Sequence, residues 1–157
     1  MSLKVGDKAP DFKLPTVDRS EVTLSQFKGK KVVLLFFPMA WTGVCTKEMC
    51  AVQEDYSSYE NLDAVVLGIS VDTFFAQKHF QEQYKLTGIT FLSDFNKDVI
   101  KAFDVVHHEF IVGYKDVAKR CTFVLDREGV IRFIEVLPTP GDYPNMDAIQ
   151  TAIKSIQ

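Results

Sequence analysis

The sequence predicts a layered α/β domain built around a mixed β-sheet, and three features carry that prediction. Two apolar runs, Val32-Val33-Leu34-Leu35-Phe36-Phe37 and Ala64-Val65-Val66-Leu67-Gly68-Ile69-Ser70, lack the alternation of a half-exposed strand and match strands covered on both faces. Around them, apolar residues recur at helical spacing. Near the end, residues 121–125 and 130–136 flank Asp126-Arg127-Glu128-Gly129, a hairpin signal that brings antiparallel strands into the sheet. With 157 residues, 46% of them hydrophobic, and only 8 Gly and 6 Pro, the chain has the size and apolar content of one domain spanning residues 1–157.

In chain order, a polar opening leads to Glu21-Val22-Thr23-Leu24, which reads as a short edge strand, and Lys28-Gly29-Lys30 turns into the first buried strand. Pro38, with no N–H to give to a ladder, ends that strand. From Cys45 onward Met49, Val52, Tyr56 and Tyr59 form one apolar stripe, predicting a single helix to about Asn61. After the second buried strand, Asp72 is read as the cap of a helix over residues 73–84. Phe91-Leu92-Ser93 is a further short strand, followed by a helix near residues 98–103. Residues 104–119 receive no regular element, and His107-His108 reads as a solvated loop. The last helix places Met146, Ile149, Ile153 and Ile156 on one face.

Charge and composition exclude several function classes. The 18 basic and 21 acidic residues are balanced, and no basic run or stripe exists to neutralise a phosphate backbone, so nucleic acid is not an expected partner. No apolar run approaches the roughly 20 residues needed to cross a bilayer. With the polar opening Met1-Ser2-Leu3-Lys4-Val5-Gly6-Asp7, this points to a soluble cytoplasmic protein with no membrane partner. Three cysteines, an odd number, read as free or redox-active thiols rather than a disulfide framework. Adjacent histidines share a metal poorly and no cysteine pair has zinc-knuckle spacing, so no metal site is expected. The 13 Phe residues read as core.

Cys45 stands apart from the other two cysteines. The stretch Pro38-Met39-Ala40-Trp41-Thr42-Gly43-Val44-Cys45 follows a buried strand and places this cysteine at the start of a helix. Unpaired backbone N–H groups and the positive end of the helix dipole favour a thiolate over a thiol there, which makes Cys45 a candidate nucleophile. Thr42, three residues earlier, can cap the helix through its hydroxyl at the Cys45 N–H or turn that hydroxyl toward a bound substrate. Cys121 alternates in a strand with Arg120 and Thr122 and is read as a core residue facing away from them.

Pro38, Thr42 and Cys45 spell Pro-x-x-x-Thr-x-x-Cys, and Arg120-Cys121-Thr122-Phe123-Val124-Leu125-Asp126 supplies an arginine entering a late strand. With these motifs the chain resembles a peroxiredoxin, a thiol peroxidase on the thioredoxin-like fold, from Gly6-Asp7-Lys8-Ala9-Pro10-Asp11-Phe12 to the last helix. Phe91-Leu92-Ser93-Asp94 and Gly129-Val130-Ile131-Arg132 also fit. The Phe-Phe-Pro-x-Ala-aromatic-Thr-Gly wording is similar to the alkyl hydroperoxide reductase E subgroup. Cys50, with four residues between it and Cys45, is similar to the bacterioferritin comigratory protein subgroup.

The resemblance implies reduction of hydrogen peroxide and organic hydroperoxides through a sulfenic acid at Cys45, without cofactor. It places Arg120 beside Cys45, where a permanent cation holds the thiolate and stabilises charge on the departing oxygen. It assigns Pro38 to the pocket wall, where Pro38, Thr42, Cys45 and Arg120 contact the peroxide, and Glu48 to orienting Arg120. Cys50 would resolve the sulfenic acid as a disulfide, recycled by a thioredoxin-like dithiol. On an intact helix, two cysteines five residues apart have Cα atoms roughly 8.7 Å apart and side chains turned about 140°. A disulfide spans about 4.4–6.8 Å, so resolution requires the first turns to unwind. If Cys50 stays a free thiol, an external thiol resolves instead. No cysteine follows Cys121, so resolution through a C-terminal cysteine of a partner lacks its residue, while a homodimer stays compatible. A redox sensor or a holdase chaperone is the competing class. Cys-x-x-Cys chemistry is disfavoured because Glu48 stands three residues after Cys45.

Overall fold

The structure, a computed structural model, describes residues 2–157. Its centre is a five-stranded mixed sheet in the order β5-β4-β3-β8-β9. The two apolar runs form β3 (Lys31–Phe36) and β4 (Ala64–Ser70), paired in parallel with Val33 opposite Val66. β5 (Thr90–Ser93) extends the parallel side. On the other side β8 (Cys121–Leu125) runs antiparallel to β3, and β9 (Ile131–Val136) antiparallel to β8. Gly129, at φ +80°, closes the β8–β9 turn in a backbone region that glycine adopts without strain.

All six residues of β3 are buried, since both faces of the sheet are covered. On one face Val33, Leu35, Phe37 and Val124 pack against α1 (Gly43–Glu54), α2 (Tyr56–Asn61), α3 (Phe74–Tyr84) and α5 (Met146–Ser155). On the other, Val32, Leu34, Phe36 and Phe123 pack against α4 (Asp98–Ala102) and a hairpin of β1 (Lys13–Pro15) with β2 (Glu21–Thr23). Burying each of these large side chains contributes about 1.5–3 kcal/mol, which anchors the central strand between the two layers. This is the layered α/β, thioredoxin-like architecture with a mixed sheet flanked by helices.

Four local expectations are corrected. Leu24 begins a 3-10 turn (Leu24–Phe27) instead of ending a strand. The helix expected to run unbroken to Asn61 is interrupted at Asp55 (φ −95°, ψ 12°), which ends α1 and starts α2. Aspartate competes poorly for helix interiors and settles at termini. Asp72 does not cap α3. The Thr73 side chain accepts from Ala76 N (3.2 Å), while Asp72 reaches back to Ala40. Residues 104–119 contain β6 (Val106–Glu109) and β7 (Lys115–Ala118), an antiparallel hairpin that places His107 and His108 on a strand. Its mixed polar and charged residues hide the alternation that would reveal a strand.

Candidate active site

The site is assembled at the end of β3. Phe37 N donates to Ile69 O (3.1 Å), Pro38 is buried, and Ala40 N donates to Asp72 Oδ2 (2.7 Å). Trp41 then takes φ +75° and lays its half-exposed ring against Phe80 and Tyr84, with centroids 5.5 and 5.9 Å away. Thr42, extended at φ −73° and ψ 154°, is the N-cap residue of α1, and its carbonyl accepts the first helical bond, from Thr46 N (2.9 Å). Its hydroxyl does not cap Cys45 N. It donates to Met39 O (2.9 Å), and turned instead to Cys45 the same proton favours the thiolate. Cys45 is thus the third residue of α1 and fully buried.

Arg120 reaches this sulfur from just before β8, whose register places Cys121 opposite Phe36. Its Nη2 lies 3.2 Å from Cys45 Sγ, and Nη1 donates to Glu48 Oε1 at 2.8 Å. Nε and Nη2 both donate to Pro140 O, at 3.3 and 3.0 Å. Arg120 and Glu48 are 2% and 1% exposed, so the ion pair is dry. Burial pushes the Cys45 thiol up, and Arg120, the Thr42 hydroxyl and the Met39 backbone oppose that rise. The positive end of α1 acts with Arg120. Burial also pushes the Glu48 carboxyl up to about 7 against the pull of Arg120. Glu48 Oε2 has no hydrogen-bond partner among the described residues, while Oε1 accepts from Arg120. For Arg120 burial works against the charge, but Cys45 and Glu48 hold it above the ordinary range.

Residues 5–134 match the family model described as AhpC/TSA family. The chain belongs to this family, the peroxiredoxins. Peroxiredoxin Bcp of Bacillus subtilis is 36% identical over 131 residues, covering 82% of each chain. The chloroplastic peroxiredoxin Q of Triticum aestivum is 40% identical over 82% of this chain, which spans 57% of that relative. A peroxiredoxin-like protein from Aquifex aeolicus superposes with a TM-score of 0.89 at 29% identity, covering 99% of this chain and 88% of that one. Membership in the peroxiredoxins makes the chain a thiol peroxidase, an oxidoreductase.

Within this peroxiredoxin, Arg120 contacts both Cys45 and Glu48, and Pro38 shares with Arg120 a small cleft also lined by His107, Lys119, Pro138 and Pro140. Cys50 is a free, partly exposed thiol on the same intact helix as Cys45. Burial and then Glu54 raise its pKa. Cys121 is buried on the opposite face of the sheet, among Phe36 and Phe123. Sequence reading missed three groups around the site: the carbonyls of Met39 and Pro140, and the Asp72 carboxylate. Any residue supplies a carbonyl, so the first two leave no sequence signal. A larger cavity of about 680 Å³, lined by Phe12, Phe74, Phe95 and Val99, lies apart from Cys45. Among the described residues, no helix is long and apolar enough to cross a membrane.

Proposed function

We propose that this peroxiredoxin reduces hydrogen peroxide and organic hydroperoxides through Cys45, the whole chain acting as one thioredoxin-like domain. The observation that carries the reading is the 3.2 Å contact between Arg120 Nη2 and Cys45 Sγ at the first turn of α1, with Glu48 fixing the guanidinium from its other side. The Cys45 thiolate attacks the terminal peroxide oxygen, an S–O bond forms and the O–O bond breaks. Sulfur gives up two electrons and becomes sulfenic acid, and the departing hydroxide or alkoxide takes a proton and leaves as water or alcohol. Arg120 neutralises charge as it moves from sulfur to the departing oxygen. Pro38 walls the pocket and keeps bulk water from the sulfur. The Thr42 hydroxyl orients the peroxide from its place between Met39 O and Cys45.

In the second half, the Cys50 thiol attacks the Cys45 sulfenic acid, a disulfide forms and water leaves. A thioredoxin-like dithiol then reduces the disulfide and is itself oxidised. Both cysteines lie on α1, so its first turns unwind before the S–S bond forms. Stopped-flow fluorescence of Trp41 tests the scheme. A fast peroxide-dependent signal absent from Cys45→Ser, and loss of only a later phase in Cys50→Ser, are the expected results. Peroxide consumption no faster than that of a free thiol would sink it and favour a redox sensor or holdase chaperone.

A further inference from the structure

We propose that Asp72 is a positioning residue of the peroxidase site, holding the loop that delivers Thr42 and Cys45 through one hydrogen bond from the Ala40 backbone. The inference rests on the reading of Cys45 given above. Asp72 lies two residues past the end of β4, and its carboxylate hydrogen-bonds to Ala40 and Ser70 rather than to the sulfur or the arginine.

Three observations carry the assignment. Asp72 leaves the helix-capping role to Thr73 and turns its carboxylate inward, where Oδ2 accepts from Ala40 N at 2.7 Å and from Ser70 Oγ at 2.6 Å. The Ser70 hydroxyl is itself fixed, because Gln77 Nε2 donates to it at 3.0 Å and to Leu92 O at 2.9 Å, and both Ser70 and Gln77 are fully buried. Ser70 therefore accepts from Gln77 and donates to Asp72, so the carboxylate is held by groups on β4, α3 and β5. Finally, the loop needs holding. Ala40 is buried, and the next residue, Trp41, sits at φ +75°, a conformation that bulky side chains rarely adopt. Without Asp72 the Ala40 N–H is left buried and unpaired, and the loop relaxes toward another donor–acceptor arrangement. Thr42 and the first turn of α1 follow, and Cys45 moves relative to Arg120. A displacement of about 1 Å at a reacting atom can cost about 100-fold in rate.

The test uses the full chain and follows the second-order rate of hydrogen peroxide with Cys45, with Trp41 emission recorded alongside. Asp72→Ala is expected to lose about 10- to 100-fold in rate and to shift Trp41 emission. Asp72→Asn keeps an oxygen for Ala40 N and is expected to stay within about threefold of wild type with unshifted emission. Thr73→Ala removes the true cap of α3 without touching the loop, so it lowers thermal stability and leaves the rate unchanged. A rate loss as large in Thr73→Ala as in Asp72→Ala would reduce Asp72 to a structural role and overturn the proposal. So would wild-type kinetics in Asp72→Ala, or Asp72→Asn as slow as Asp72→Ala. If wild type itself shows no Cys45-dependent reaction, the underlying reading of the site falls, an outcome separate from these.

Discussion

Arg120 sets the geometry of the site because one planar guanidinium meets three acceptors at once: Cys45 Sγ, Glu48 Oε1 and Pro140 O. Removing it raises the Cys45 pKa further, since burial then acts with less opposition. In Arg120→Met the pH profile of Cys45 alkylation should move to higher pH, and the peroxide rate should fall by about 100- to 1000-fold, as for loss of one charge-stabilising donor. An unmoved profile would show that the helix terminus alone sets the thiolate. Thr42 gives a narrower comparison. Thr42→Ser keeps a hydroxyl for Met39 O and Cys45 and should react at near wild-type rate, whereas Thr42→Val should be slower by about tenfold or more, read by stopped-flow. Glu48 predicts a pH effect on stability. Its folded pKa of about 7 lies above the ordinary 4.5, so the folded state binds more protons than the unfolded state between those values. Its contribution is fully present below about pH 4.5 and is lost as pH rises through 7. Thermal melts should therefore show a smaller drop between pH 5 and pH 7.5 in Glu48→Gln than in wild type.

At the scale of elements, α1 carries both thiols, and the break at Asp55 bounds how far it must open. Hydrogen exchange of peroxide-oxidised protein should show lost protection over residues 43–50 with α2 unaffected, and full protection there would rule out a bridge between Cys45 and Cys50. How well the elements could be read from sequence followed from burial. The continuous runs of β3 and β4, the stripes of α1 and α5, and the β8–β9 turn are legible because two-sided cover and amphipathic faces write strong patterns. The β6–β7 hairpin is not, since His107, His108, Glu109, Lys115 and Asp116 interleave with few apolar residues. The role of Asp72 is hidden for a related reason. An acidic residue before a helix looks like a cap, and only the fold reveals that Thr73 takes that role while Ala40 stands within reach.

For the whole molecule, the sheet brings together residues far apart in the chain, and no local pattern encodes this. Cys45 and Arg120 are 75 positions apart, and β3–β8 pairing brings them together. The partners of Cys45 were legible only through the family motif, and its position at a helix start came from local pattern alone. The same sheet separates Cys121 from the reaction. Arg120 and Cys121 are chain neighbours, yet one faces Cys45 and the other lies beneath Phe36 and Phe123, where burial first and Glu48 second raise its pKa well above the ordinary range. The consequence is an internal clock for unfolding. A thiol-counting dye applied to the native protein should titrate partly exposed Cys50 at once and buried Cys45 as the first turn of α1 opens, and the equivalent from Cys121 should appear only as fast as individual molecules open their core. The slow phase of a single colour trace would then report the opening rate of each variant with no label added to the chain.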